Sequence, residues 1–121
     1  MSKSRISAAL LAASLVGLAS PVVASPILIY DGYALKQACA DGAAYYTYGK
    51  CAGYIIGVHD QYVLAVGWEV NICVSLEDGN TTDSMIEPVT DYLGRSDTRL
   101  SDPASTLVIA ALKEAFPCPV E

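Results

Sequence analysis

The stretch KCAGYIIGVHDQY, Lys50 to Tyr62, holds the only histidine of the chain and one of its four cysteines. Its apolar residues Cys51, Tyr54, Ile55 and Val58, continued by Tyr62, Ala65 and Val66, fall at i, i+3, i+4, i+7, i+11, i+14 and i+15. That is the spacing of one face of an α-helix, not the alternation of a strand. The same spacing decides whether Cys51, His59 and Asp60 can act as nucleophile, base and orienter. On a helix, Cys51 and His59 are separated by ~12 Å of axial rise, beyond hydrogen-bond reach. His59 and Asp60 are therefore read as surface residues of a helix from about Lys50 to Val66, which Gly67 closes as a C-cap.

Upstream, Lys3 and Arg5 precede a run of apolar and small residues from Ile6 to Leu18, followed by PVVAS. This is the layout of a secretory signal, residues 1 to 24, cut between Ala24 and Ser25 after the small residues Val22 and Ala24. The run is Ala- and Ser-rich and weakly hydrophobic for a span of ~20 residues, which disfavours a membrane anchor. The domain is then residues 25 to 121, with no membrane association after the cut. It keeps five basic residues (Lys36, Lys50, Arg95, Arg99, Lys113) against all thirteen acidic ones, a formal charge of −8. Such acidity argues against nucleic acid and anionic lipid and suits a basic protein surface.

A domain this small buries too little surface to be comfortably stable on its core alone. Cys39, Cys51, Cys73 and Cys118 all lie after the cut, and an even count in a small exported chain reads as two disulfides. Spacings of 12, 22 and 45 residues contain no close pair such as C-x-x-C, so no zinc site is expected. No cofactor is expected either.

Three further helices follow from the same periodicity. The first spans about Gly32 to Asp41, with Asp31 as N-cap, Leu35, Ala38 and Cys39 on one face, and Gly42 as its stop. Another begins near Thr81, with Met85, Ile86, Val89, Tyr92 and Leu93 as its stripe. Pro88 lies inside that segment and predicts a kink or a late start. The last opens on Ser101, Asp102 and Pro103, a capping residue followed by proline at the first helical position. Its buried face is Ala104, Leu107, Val108, Ala111, Leu112 and Ala115. The expected fold is all-α: a small four-helix domain stapled by two disulfides.

Helix lengths select the pairing. From Cys51 to Gly67 the helix runs ~24 Å, and the six residues from there to Cys73 span at most ~20 Å. Cys51 and Cys73 can then hardly come within the ~7 Å that a bridge allows between Cα atoms. Cys39 ends one helix and Cys51 starts the next, on one side of the molecule, which leaves Cys39 with Cys51 and Cys73 with Cys118.

Catalytic groups are sparse. Bridged Cys51 is no thiolate. Serines 75, 84, 96, 101 and 105 have no second base, and neither G-x-S-x-G nor H-E-x-x-H occurs. The carboxylate pairs Glu77 with Asp78 and Asp83 with Glu87 read as solvated loop faces and helix starts. The tyrosines of GAAYYTYG, Tyr45, Tyr46 and Tyr48, read as packing of a helix connection or as an interface patch. The chain is not expected to be an enzyme.

The segment after the cut resembles the Rap/Tai-type periplasmic immunity proteins, which protect bacteria from peptidoglycan-cleaving amidase effectors of type VI secretion. ALKQAC ending at Cys39, the block from Cys51 through Gly53, Tyr54, Ile55, Gly57 and Val58 to Asp60, and Cys73 carry the match. So do Gly79 to Thr81, Asp91 to Leu93, and the closing Ala115, Phe116, Pro117 and Cys118. Ser75 and Ser84 stand where the family often has proline and glutamine. The resemblance implies a small helical domain, often a homodimer, without catalysis or cofactor, that blocks the active-site cleft of a cognate amidase effector. Gly53 and Gly57 then allow close helix packing. The contacts fall to loops, and two are nominated: Ser75 to Asn80, with Glu77, Asp78 and Asn80, and Gly94 to Asp102, with Arg95, Asp97 and Arg99. The alternatives are a periplasmic acid-stress chaperone and another exported helical protein-binding module. Such chaperones are richer in lysine and carry a single bridge.

Overall fold

The computed structural model describes Gly17, Ser20, Ile27 and residues 29–40, 45–75, 77 and 79–120. Apart from Gly17 and Ser20, the expected signal segment lies outside these residues, as do Gly42 and Asp78. Four helices are present: α1 (Gly32–Ala40), α2 (Tyr45–Val66), α3 (Ile86–Gly94) and α4 (Ala104–Ala115). Single 3-10 turns, Gly67–Glu69 and Thr82–Met85, follow α2 and precede α3. Among the described residues there is no strand, only isolated bridges between Asp31 and Pro103 and between Ile72 and Pro117.

Local chemistry explains most helix boundaries. Asp31 caps α1, its Oδ1 accepting from the Ala34 N–H at 2.9 Å. Gly67 stands at φ +56°, a left-handed conformation that costs glycine nothing, and it ends α2. Before α3, Ser84 Oγ accepts from the Thr81 N–H at 3.0 Å while the Ser84 N–H donates to the Thr81 carbonyl at 3.0 Å. Serine thus serves this helix start in place of glutamine. The start is late, as Pro88 predicts: with Ile86 first, proline occupies the first turn, where no intrahelical N–H bond is lost.

Two expectations about boundaries are corrected. Helix α2 begins at Tyr45 rather than near Lys50, so Tyr46 and Tyr48 lie on its first turns and not in a connection. Pro103 is not the first helical residue of α4. It takes the cap position itself at φ −53° and ψ 131°, and since proline has no side-chain acceptor there is no side-chain cap; Asp102 Oδ1 instead accepts from Arg99 Nε at 2.8 Å.

The core lies where all four helices meet. Leu35, Ile55, Val89, Leu93, Ala104, Val108 and Leu112 are fully buried, and Leu107 and Ala111 nearly so. Each large aliphatic side chain there contributes on the order of 1.5–3 kcal/mol. Ala115, expected on this face, is exposed. Both bridges form as the helix lengths require, Cys39 to Cys51 and Cys73 to Cys118, with Cα separations of 5.0 and 4.9 Å.

The glycines are distributed differently from expectation. A Cβ built on Gly53 or Gly57 meets no atom within 4 Å, so neither receives a neighbouring helix. The close approach is at Gly32, where a Cβ would lie 2.5 Å from Leu107 Cδ1 and 2.8 Å from the Leu100 carbonyl oxygen. There the start of α1 is pressed against the α3–α4 loop and α4.

Candidate functional site

The loop from Gly94 to Asp102 is held from three sides. At the end of α3, the Arg95 N–H donates to the Tyr92 carbonyl at 3.3 Å and Thr98 Oγ1 donates to the same oxygen at 2.6 Å. At the start of α1, the Tyr33 and Gly32 N–H groups donate to the carbonyls of Leu100 and Asp102 at 3.2 and 3.1 Å. From α4, Glu114 Oε2 meets Arg95 Nη1 at 2.8 Å. Leu100 packs against the core beneath. A loop ordered in this way loses little conformational freedom on binding a partner.

Both nominated arginines pair with carboxylates of the same chain at its surface. Arg95 pairs with Glu114 and Arg99 with Asp102. Each carboxylate, through its hydrogen bond first and its charge second, raises the guanidinium pKa above its ordinary value. Asp97 is exposed and has no ion-pair partner among the described residues.

Two depressions meet at this loop. One of about 500 Å³ runs between α3 and α4, from Asn80 and Ser84 past Glu87 and Asp91 to Arg95 and Glu114. The other, about 390 Å³, holds Asp97, Thr98, Arg99 and Asp102 and shares Arg95 and Glu114 with the first. The structure thus brings Asn80, Arg95, Asp97 and Arg99 onto one continuous surface. Glu77 is exposed and lines neither depression.

Sequence reasoning missed Glu114 and Thr98, which fix the loop. Glu114 has no signal, since its partner Arg95 lies far back in sequence at the end of α3, whereas Asp102 stands three residues from Arg99 and could have been found. It also missed Asp83, whose Oδ1 accepts from the Tyr48 hydroxyl at 3.0 Å and ties the start of α2 to the turn before α3. That hydrogen bond is the main cause of a raised Tyr48 pKa.

A third depression, about 480 Å³ and almost wholly apolar, follows Gly53, Gly57, Val58 and Tyr62 of α2 and Ile109 of α4. It is the open space in front of the two glycines. The trio Cys51, His59 and Asp60 is dissolved: Cys51 is bridged, and His59 Nδ1 meets only the neighbouring Asp60 Oδ1, at 3.1 Å. Among the described residues, no group of three His, Cys, Asp or Glu side chains is placed to hold a metal ion. No helix among them is long and apolar enough to cross a membrane.

The described residues form an all-helical domain closed by two bridges, with an ordered loop between α3 and α4. The family model of the Rap1a immunity proteins matches residues 31–118, from the cap of α1 to the last bridged cysteine, and the chain belongs to that family. Membership gives it an immunity role, which implies a cognate effector protein as partner. Comparison with curated proteins and with solved structures found no match.

Proposed function

We propose that this is a periplasmic immunity protein that binds and inhibits a peptidoglycan-cleaving amidase effector of type VI secretion. The observation that carries the reading is the family match over residues 31–118. The chain is exported by residues 1 to 24 and cut after Ala24, and its two bridges suit the oxidising compartment it then reaches. It has no catalysis of its own and works as a homodimer.

The Gly94 to Asp102 loop enters the effector cleft as a rigid element. With Arg95 and Arg99 neutralised at home, Asp97 is the charge this loop presents outward. Glu77, exposed on the segment that leads to Asn80, adds acidity outside the depressions, and Asn80 lines the adjoining groove; Asp78, its neighbour in sequence, is kept as a nominated contact. The target this chemistry suits is a cleft with basic or hydrogen-bond-donating walls, matched by the acidic chain.

Co-purification of the mature protein with a peptidoglycan amidase found in the neighbourhood of its gene tests the reading. A stable complex that loses affinity on Asp97→Ala supports it. A complex unaffected both by that substitution and by the double change of Glu77 and Asp78 to Ala removes these loops from the account.

A further inference from the structure

The two disulfides occupy different surroundings. Cys51 is fully buried in the core, and Cys39, partly buried, packs against it, so the first bridge has one buried and one partly covered cysteine. Cys73 is exposed and Cys118 only partly buried. The second bridge stands at one end of the bundle, joining the connector after α2 to the segment after α4. An attacking thiolate needs access to a sulfur along the S–S axis. At the exposed Cys73 it has that access in the folded protein, whereas the first bridge offers only the partly covered Cys39, and at Cys51 the core must first open.

The two bridges also hold different things. Cys39 to Cys51 joins helices whose side chains make up the core. Cys73 to Cys118 joins segments that also meet at the isolated bridge Ile72–Pro117 and through the Cys73 N–H, which donates to the Phe116 carbonyl at 2.8 Å; the connector is held to α2 by the Tyr62 hydroxyl, which donates to Asn71 Oδ1 at 2.6 Å. Of the described buried core residues only Ile72 belongs to the connector between Glu69 and Thr82, with Val74 packed against it in part. Cutting the second bridge therefore leaves nearly all of the core in place.

We propose that Cys73–Cys118 is a thiol–disulfide exchange site of the folded protein, open to an exported dithiol protein, while Cys39–Cys51 is a permanent structural bridge. In the exchange, one thiolate of the dithiol attacks a bridge sulfur, breaks the S–S bond and forms a mixed disulfide. Its second thiolate then closes the dithiol's own disulfide and expels the remaining cysteine. Two electrons pass to the bridge, the dithiol is oxidised, and its two protons end on the Cys73 and Cys118 thiols. The connector that carries Glu77 and leads to Asn80 thereby loses its covalent tie to the C-terminal segment and keeps only the contacts around Ile72 and Cys73. The four helices stay packed.

The inference rests on burial and not on the identity of the effector. Oxidised protein, without denaturant, is treated with dithiothreitol at neutral pH, quenched over time with N-ethylmaleimide, mapped by mass spectrometry and followed by far-ultraviolet circular dichroism. Cys73 and Cys118 should be alkylated together at least about tenfold faster than Cys39 and Cys51, since opening of the core must precede attack on the buried bridge. The helical signal should persist through that first phase. A common rate for all four cysteines, earlier labelling of Cys39 and Cys51, or loss of helix with the first bridge would overturn the proposal. In a variant with Cys39→Ala and Cys51→Ala, the remaining bridge should be reduced at the wild-type rate, and a clearly slower rate would count against it. If that variant does not fold, the wild-type kinetics decide alone.

Discussion

Arg95 Nη1 lies 2.8 Å from Glu114 Oε2, so the first residue of the α3–α4 loop is tied to the last turn of α4. Thr98 Oγ1 binds the Tyr92 carbonyl at 2.6 Å and closes the same loop against the end of α3. The two contacts differ in kind. The ion pair is about half exposed on both sides, so Glu114→Gln should change stability by no more than about 1 kcal/mol. The Thr98 bond is shielded, and Thr98→Ala should cost about 1 kcal/mol. Both substitutions should speed amide exchange over residues 95–100 more than in α2. Denaturant titration and hydrogen-exchange mass spectrometry read these effects, and unchanged exchange in both variants would mean that the loop is ordered by other contacts.

Glycine substitutions should separate the crowded position from the open ones. At Gly32 a methyl group meets Leu107 Cδ1 at 2.5 Å and backbone atoms of Leu100 at 2.8 and 2.9 Å, and the backbone cannot swing aside. Gly32→Ala should cost about 1–3 kcal/mol by overpacking. Gly53→Ala and Gly57→Ala place a methyl group in open space within a helix. Each should be neutral or stabilising by up to about 1 kcal/mol through helix propensity. Thermal melts of the three variants measure the order.

Alkaline pH should weaken the fold partly through Tyr48. Its hydroxyl donates to Asp83, and the folded state holds the phenol proton more tightly than the unfolded chain, whose tyrosine titrates near 10.0. The unfolded chain therefore loses this proton first. The contribution is fully present below pH 10 and is lost as pH rises through the higher folded value. Tyr54, raised chiefly by burial, acts in the same direction. Tyr48→Phe should show a smaller loss of stability above pH 10 than wild type, measured by denaturant titration alongside tyrosinate absorbance. An identical pH profile would contradict the assignment.

Oxidised protein should show no free thiol by Ellman titration, and two reactive thiols would refute the pairing. By loop length, removing Cys73–Cys118 should cost ~4 kcal/mol and removing Cys39–Cys51 ~3 kcal/mol on chain entropy alone. The second figure is a floor, since Cys51 also fills the core.

Much of this fold was legible in the amino-acid pattern because its signals are local. Periodicity marked the faces of all four helices, Pro88 marked the late start of α3, and helix length selected the disulfide pairing. What escaped depends on partners distant in sequence. Tyr45 to Tyr48 looked like a connection because Gly49 interrupts the pattern, yet the helix continues through it. Asp102 looked like a cap, but the nearby Arg99 competes for its carboxylate. Glycines on α2 looked like packing positions. Only the assembled chain shows that Gly32 receives a neighbour while Gly53 and Gly57 face open space. Of the nominated contacts, Asn80, Arg95, Asp97 and Arg99 do share a surface. Their arginines, however, are bound to carboxylates that no spacing rule joins to both of them.

The central claim is most directly tested by searching the neighbourhood of this gene for a peptidoglycan amidase and measuring the hydrolysis by such an enzyme with and without the mature protein. Hydrolysis should fall to background near an equimolar ratio and recover in part when Asp97→Ala protein is used. Full hydrolysis in the presence of a molar excess of oxidised, folded wild-type protein would contradict the account.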